Sequence, residues 1–433
     1  MKKLIIIMEL ACCSLGVMAQ TPLSLSECRQ RAVANNEQMV KANNGVDEAD
    51  LQKKALFTNY LPKVSGSAGV MCMSDMEMES MGMTTKMRGA YLAGLSLTQP
   101  IYAGGKITAG YKMAKIGKEC AEEQKRKAKM DIIAEADNAY WTYMAVLEKI
   151  KMVEAYNAQM DSIYNIVKLS VEAEMGTEYE LVRIDAKRSE LKYQLQKAKN
   201  GANLCRLNLC NVMGDSSQTQ YLLTDTVIQL SELTSDADIS RRPELFLMEK
   251  NIEVKEQQVK LTRGDFLPTV GLSAGYNWYG NIKIESMVQA QDGNYYPYEM
   301  EFKDGLGTVA AVASIPIWNW LEGPRKVKKA KLEVEDAQLD YQRNSRLLSM
   351  EAQQALQNVT DAYSMIETTE LGVKQADENL RIMRDNYEND MGTLTDLLDA
   401  QSQWQQARSN LIEAKTQAKI YETEYLRVTG RLE

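Results

Sequence analysis

Gln99-Pro100-Ile101-Tyr102 and Ile315-Pro316-Ile317-Trp318 carry one pattern written twice, 216 residues apart. Working outward, Met175-Gly176-Thr177 recurs as Met391-Gly392-Thr393 and Gly214 as Gly430, all at that same offset. Upstream, Tyr60-Leu61-Pro62 is echoed by Phe266-Leu267-Pro268 at an offset of 206, so the second copy holds ten extra residues between its Leu-Pro and its Pro-Ile. A register kept without a gap from Pro100 to Gly214 marks an internal duplication, and the fold has to be built from its unit.

Proline placement organises that unit. None of the chain's prolines falls between Pro100 and Pro243 or after Pro324, as long unbroken helices require. Each copy therefore reads as helix, strand, loop, strand, very long helix, tight turn, helix. The expected division is a signal peptide over 1–19, a first repeat over 20–214, an inter-repeat segment over 215–240 and a second repeat over 241–433.

The signal peptide rests on Lys2 and Lys3, the apolar run Leu4 to Val17 and the small-residue site Val17-Met18-Ala19 before Gln20. The run is too short to span a bilayer. Lipidation at Cys12 or Cys13 is the alternative, against which stand Glu9 and the Cys-Cys pairing itself. After cleavage, Cys28, Cys72, Cys120, Cys205 and Cys210 remain, odd in number and without a CxxC pair. They form neither a disulfide framework nor a zinc site. The chain has no histidine, which removes the usual proton shuttle and the commonest metal ligand. A net charge of −8 argues against a nucleic-acid partner.

The strands have two unlike faces. Val270, Leu272, Ala274, Tyr276 and Trp278 alternate with Thr269, Gly271, Ser273, Gly275 and Asn277, a period of two with one apolar and one small polar face. In the first copy, Val64 to Val70 and Tyr91 to Thr98 repeat the design; Gly307 to Ile315 is placed by the repeat. Each has the length of a membrane-spanning strand, about 9–11 residues. Four strands leave unpaired edges, which lipid does not tolerate. Closure requires another chain, unless the sheet packs on protein as a soluble sandwich, for which the chain offers no second sheet.

From about Pro100 to Met175, and from Pro316 to Met391, each arm has no proline beyond its opening residues, the last being Pro324, and would reach about 110 Å if fully helical. The returning helices carry a heptad: Leu181, Ile184, Arg188, Leu191, Leu195, Ala198, Ala202, Cys205, Leu209 and Val212, matched in the second copy by Leu397 through Val428. A sustained 3.5-residue repeat winds helices into a left-handed coiled coil, whether or not it encloses a lumen. The fold class is a mixed α/β membrane protein, with a long antiparallel coiled-coil tunnel and four transmembrane β-strands.

The duplicated unit, Leu-Pro before the first strand, Pro-Ile-aromatic after the second and Gly392-Thr393 leading into Asp396-Leu397-Leu398-Asp399-Ala400 resemble the TolC-type outer-membrane efflux proteins over nearly the whole mature chain. The resemblance implies a homotrimer with a shared twelve-stranded barrel in the outer membrane of a Gram-negative bacterium and a helical tunnel through the periplasm. It implies a periplasmic adaptor (membrane fusion) protein and an inner-membrane pump of RND or ABC type as partners, with no cofactor. Asp215 to Arg242 would help form a belt around the tunnel. Asp396 and Asp399 match the aspartates that ring the periplasmic gate, and the turns at Gly176, Thr177, Gly392 and Thr393 match the adaptor-docking positions. The first copy departs from this pattern, with Glu180 and Arg183 in place of the two aspartates.

The turns also have a plain structural reading. Gly176 and Gly392 suit the left-handed residue past a helix end. Thr177 and Thr393 suit N-caps, with Glu180 and Asp396 completing capping boxes. Asp399 lies a turn further on, where no cap needs it. Between the first two strands, Met71, Met73, Met76 and Met78 lead a methionine-rich loop with Cys72. Soft sulfur ligands suit Cu(I) or Ag(I), while methionine also fills irregular packing without any metal.

The leading function is a passive exit duct in an exporter. An envelope-spanning coiled-coil scaffold without a pore is the alternative. Catalysis finds no support, because the charged residues spread along helix faces without converging.

Overall fold

The two proline-free stretches fold as the longest helices of the chain, as the absence of an internal breaker requires. The computed structural model describes residues 21–80, 83–174, 176–225, 236–289, 291–389 and 391–433. The expected signal peptide, with Cys12 and Cys13, lies outside them, as does part of the expected belt segment. After β1 (Thr21–Leu23) and α1 (Leu25–Asn35), one series of elements occurs twice. The first is α2 (Glu37–Phe57), β2 (Lys63–Ser80), β3 (Met83–Ala103), α3 (Lys106–Glu172) and α4 (Glu178–Met213). After β4 (Tyr221–Leu223) come α5 (Pro243–Gly264), β5 (Thr269–Gln289), β6 (Tyr295–Ser314), α6 (Glu322–Glu388) and α7 (Leu394–Val428). The chain forms two compact units, and each draws on both copies.

One unit, Val46–Ala121 with Met248–Asp340, holds an antiparallel sheet of order β2-β3-β5-β6. Its register aligns the apolar faces of all four strands. Val64 lies opposite Leu97, Leu97 opposite Ala274, and Ala274 opposite Val309. A bulge between Pro100 and Tyr102 brings Tyr102 onto the same face, beside Val270. Glycines in the strands make room for flat aromatic rings: a Cβ at Gly280 would meet the Tyr91 ring, and one at Gly305 the Tyr276 ring. The opposite face carries Ser65, whose hydroxyl meets that of Ser96 at 2.7 Å. The helical segments of this unit are tied by ion pairs, Lys118 to Asp50 at 2.7 Å, Lys250 to Glu119 at 3.0 Å and Lys255 to Glu333 at 3.3 Å.

Three expectations need correction here. The strands have 18, 21, 21 and 20 residues, not the bilayer-limited length of about 10. The methionine-rich segment taken for a loop is mostly ladder, with Met76 opposite Met87 and Met78 opposite Thr85. Backbone hydrogen bonds continue a hairpin after its apolar alternation ends, so the stretch from Met76 to Ser80, which carries Glu77 and Glu79, remains paired after an irregularity between Cys72 and Met76. The arms are also shorter than their breaker-free sequence, 67 residues each. In the first copy, β3 runs on through Tyr102, and Gly104 and Gly105, at φ 62° and 78°, turn the chain before α3 begins.

The other unit, Met1–Gly45 with Glu122–Leu247 and Tyr341–Glu433, is helical apart from the parallel pair β1 and β4. The heptad positions named above on α4 and α7 are all buried or half-buried. Both returning helices close on a left-handed glycine, Gly214 at φ 66° and Gly430 at φ 71°. A Cβ at Gly430 would stand 2.4 Å from the Arg241 carbonyl oxygen, so the site excludes any other residue.

A buried carboxylate links the copies within this unit. Asp137 of α3 is fully buried and accepts from Arg29 Nε of α1 at 2.7 Å and from Thr423 Oγ1 of α7 at 2.7 Å. The neighbouring Cys28 thiol is pushed up to about 12 by burial and by the Asp137 charge, so it is held as an unreactive thiol. Asp137→Ala leaves the half-buried Arg29 guanidinium and the buried Thr423 hydroxyl without their acceptor. A broken buried pair costs about 3–5 kcal/mol; because the Arg29 side chain is 31% exposed, about 2 kcal/mol is expected here, read as a lower urea midpoint. An unchanged midpoint would remove Asp137 from the account of the core.

Candidate functional site

Both helix turns lie in the helical unit, and each begins its returning helix with a capping box. Thr177 accepts from Glu180 N–H at 3.4 Å while the Glu180 carboxylate accepts from Thr177 N–H at 3.1 Å. Thr393 accepts from Asp396 N–H at 3.2 Å, and the Asp396 carboxylate takes the Thr393 N–H at 3.3 Å and hydroxyl at 2.6 Å. These bonds hold the Asp396 carboxyl below the usual carboxylate range. The charge of Asp396 therefore persists at neutral pH, and the cap weakens as pH falls through that lowered value.

The glycines act differently from expectation. Neither Gly176 nor Gly392 has a positive φ; in the first turn the left-handed position is Glu174, at φ 57°. Close approach is what favours glycine here. A Cβ at Gly176 would lie 3.3 Å from Ser170 and Val171, and one at Gly392 3.2 Å from Asn386. The Gly176 N–H donates to Ser170 O at 3.0 Å and the Met391 N–H to Asn386 O at 2.8 Å, which folds each turn back onto the helix it leaves. Met175 lies outside the described residues.

Beneath the turns the four helices share one apolar cluster. Tyr156, Met160, Ile163 and Val167 of α3 meet Ile184 and Leu191 of α4, Leu380 of α6, and Leu394, Leu397 and Leu398 of α7. Arg183, the first-copy counterpart of Asp399, reaches across and donates to Thr395 Oγ1 at 2.5 Å. Lower down, Gln405 donates to Gln194 at 3.0 Å. These two bonds connect α4 to α7, one copy to the other. Asp399 itself is exposed and has no hydrogen bond or ion pair among the described residues.

One level of both coiled coils is duplicated with a changed partner. Asp161 accepts from Arg188 Nε at 2.8 Å. Its counterpart Asp377, again 216 residues on, accepts from the Trp404 indole N–H and from Arg408 at 3.2 Å. Asp185 of this level becomes Gln401 in the second copy. Gln401 is fully buried, and neither its amide oxygen nor its amide nitrogen has a hydrogen-bond partner among the described residues. The doubled aspartate was open to reading at the repeat offset; the Arg183–Thr395 link, 212 positions apart, had no local signal.

The soft-metal candidates Met71, Met73, Met76 and Met78 all lie on β2, in the unit that holds the sheet. Met71 is 52% exposed; the side chains of Met73, Met76 and Met78 lie outside the described residues.

Comparison with known proteins places this architecture. A family model described as outer membrane efflux protein matches residues 28–204 and 235–431, one stretch in each copy. The proteases secretion protein PrtF of Dickeya chrysanthemi is 20% identical over 336 residues, 75% of this chain and 69% of the relative. The Campylobacter jejuni CmeC outer membrane channel superposes with a TM-score of 0.77 at 19% identity, covering 94% of this chain and 86% of that one. The Vibrio cholerae outer membrane protein VceC gives 0.76 at 15% identity, covering 94% and 96%. The open-state Neisseria gonorrhoeae MtrE outer membrane channel gives 0.76 at 18% identity, covering 94% and 89%. At these identities the structural likeness is one of fold. With both copies matched by the family model, the chain belongs to the outer membrane efflux protein family, a family of transport channels and not of enzymes.

Proposed function

We propose that this protein is the outer-membrane exit duct of a tripartite efflux or secretion system. A periplasmic adaptor and an inner-membrane pump of RND or ABC type would hand it substrates. One observation carries the reading: the sheet ends on β2 and β6, each paired on one side only. Two copies would close eight strands and three would close twelve, both within the range of known barrels. The choice of three follows from the resemblance. The 67-residue helices, each about 100 Å at 1.5 Å per residue, are long enough to line a tunnel through the periplasm. The pore-free scaffold fits less well, since a coiled coil needs no amphipathic sheet with open edges.

The gate lies at the second turn. In a trimer, Asp396 and Asp399 would place six carboxylates around the entrance, a barrier and a site for multivalent cations. Asp399 is the freer charge, because Asp396 also caps α7. The first-copy turn would stay back as a fixed neighbour, joined to the gate helix through Arg183 and Thr395. The turns at Gly176, Thr177, Gly392 and Thr393 would be the surface an adaptor meets. The methionine-bearing hairpin would offer sulfur to a soft cation; a Cu(I) titration of a peptide spanning Met71 to Met87 decides this, and absence of binding ends it.

Asp399→Asn removes charge without touching a cap. It is expected to weaken block by multivalent cations in planar bilayers, and Asp396→Ala with Asp399→Ala to enlarge single-channel conductance as well. Unchanged conductance and block would move the gate elsewhere. Gln401 gives a test of opposite sign. An unpaired buried amide costs about 1–3 kcal/mol, so Gln401→Met should tighten the closed packing and lower open probability. Arg183→Ala, which removes a link worth about 1 kcal/mol, should raise it about fivefold. Identical gating in both variants would show that this cluster does not move.

A further inference from the structure

The two copies cross from sheet to long helix through equivalent turns built from very different residues. In the first copy, the left-handed positions are Gly104 and Gly105; at the repeat offset, the second copy has Trp320 and Leu321, at φ 48° and 62°. For side chains of this size that backbone costs roughly 1–2 kcal/mol at each position. Gly104 has no freedom to change, because a Cβ there would lie 2.4 Å from the Gly264 carbonyl oxygen. Trp320 is under no such restriction; its side chain stands out, 81% exposed. Beside it, Trp318 is 67% exposed, with the ring centroids 6.0 Å apart. Strain is thus tolerated at Trp320, whose indole stands in the open beside that of Trp318.

The next residues add charge. Arg325, Lys326, Lys328, Lys329 and Lys331 follow within eleven residues of Trp320, with Glu322 the only acid among them, in a chain whose net charge is −8. At 100° per residue, Arg325, Lys326, Lys328 and Lys329 occupy the exposed arc of α6, opposite Gly323, Val327 and Ala330. Lys326 pairs with Glu322 at 2.5 Å. Arg325, Lys328 and Lys329 have no carboxylate partner among the described residues.

We infer that the turn from β6 to α6 is a binding site for anionic phospholipid, with Trp318 and Trp320 seated in the interfacial layer and Arg325, Lys328 and Lys329 meeting the head-group phosphates. Continuity supports this occupant: the turn leaves the strand whose Val309, Ala311 and Ala313, opposite Ala274, Leu272 and Val270, extend the apolar face of the sheet. Indole rings favour the boundary between head groups and acyl chains, and nearby cations draw anionic lipid by about 1 kcal/mol each. An apolar belt, two indoles and then unpaired cations is the order in which a chain leaving a bilayer would meet acyl chains, interface and phosphates. The inference rests on the proposed outer-membrane placement.

The test uses the full-length trimer in phosphatidylethanolamine vesicles containing one-fifth phosphatidylglycerol, with bromine on the acyl chains of one lipid or the other. The Trp318 and Trp320 signal is the quenching lost in Trp318→Phe with Trp320→Phe. Brominated phosphatidylglycerol is expected to quench that signal about fivefold more, per lipid, than brominated phosphatidylethanolamine, the enrichment due to one effective cation. The triple variant Arg325→Gln, Lys328→Gln and Lys329→Gln should bring the ratio close to one. Trp320→Gly should raise the unfolding temperature by releasing the strained φ, yet reduce the quenching, a combination that a purely structural tryptophan would not give. Equal quenching by both lipids in the native trimer would overturn head-group recognition. Absence of quenching in a conducting trimer would show the indoles covered by protein instead. Failure of the native trimer to conduct would count against the duct reading itself, separately from this site.

Discussion

The constraint on which everything else depends is the unmet hydrogen bonding at the outer edges of β2 and β6. In water those N–H and C=O groups would be hydrated; in a bilayer each costs several kcal/mol. On the proposed outer-membrane placement, a chain that carries four amphipathic strands would find its missing partners in other copies of itself. Rotational closure then follows, since a β6 edge meeting a β2 edge is a head-to-tail contact that ends only when a ring forms. The duplication sits within this scheme: one ancestral unit of two strands and two long helices, repeated, supplies each protomer's share.

The duplication also explains where function concentrates. Equivalent positions begin alike and then diverge where the two copies do different work. At the turns, a threonine cap is kept in both copies, while Arg183 and Asp399 have parted. The cation became a link to the neighbouring helix, and the carboxylate was left exposed. At the next level, Asp161 and Asp377 are retained, but their partners are Arg188 and Trp404, and Asp185 has given way to the unsatisfied Gln401. Both hairpins keep buried polar atoms without a partner among the described residues, Tyr156, Asn157 and Gln159 in the first and Gln401 and Arg408 in the second. The same divergence at the sheet-to-helix turn exchanged two glycines for Trp320 and Leu321.

Much of this was legible in the residues. The repeat offset, the breaker-free arms, the heptads and the two-faced strands all rest on local periodicity, which sequence records directly. The strand ends are not legible because the apolar alternation stops well before the hydrogen-bond ladder, which continues to Ser80 and Gln289. Gly176 and Gly392 were given a left-handed role because that is the common reason for glycine after a helix. The close approach to the helix just left, which favours glycine there, depends on how tightly the chain doubles back. Arg183 and Thr395 were unreadable as partners, being joined only through the packing of α4 on α7. Tryptophan and leucine at left-handed positions are what local preference argues against, so only coordinates could place them there.

Closure of the sheet by other copies is the central claim, and cross-linking the two open edges tests it most directly. On a Cys72→Ser background, Ser67→Cys in β2 is combined in turn with Thr308→Cys, Ala310→Cys and Val312→Cys in β6, all on the small-residue face of the sheet. Oxidation of membranes followed by denaturing electrophoresis would then report which edges touch. The account predicts that one combination yields a covalent ring of three chains with no larger species. Monomers alone in all three, or a ladder of ever larger products, would contradict it.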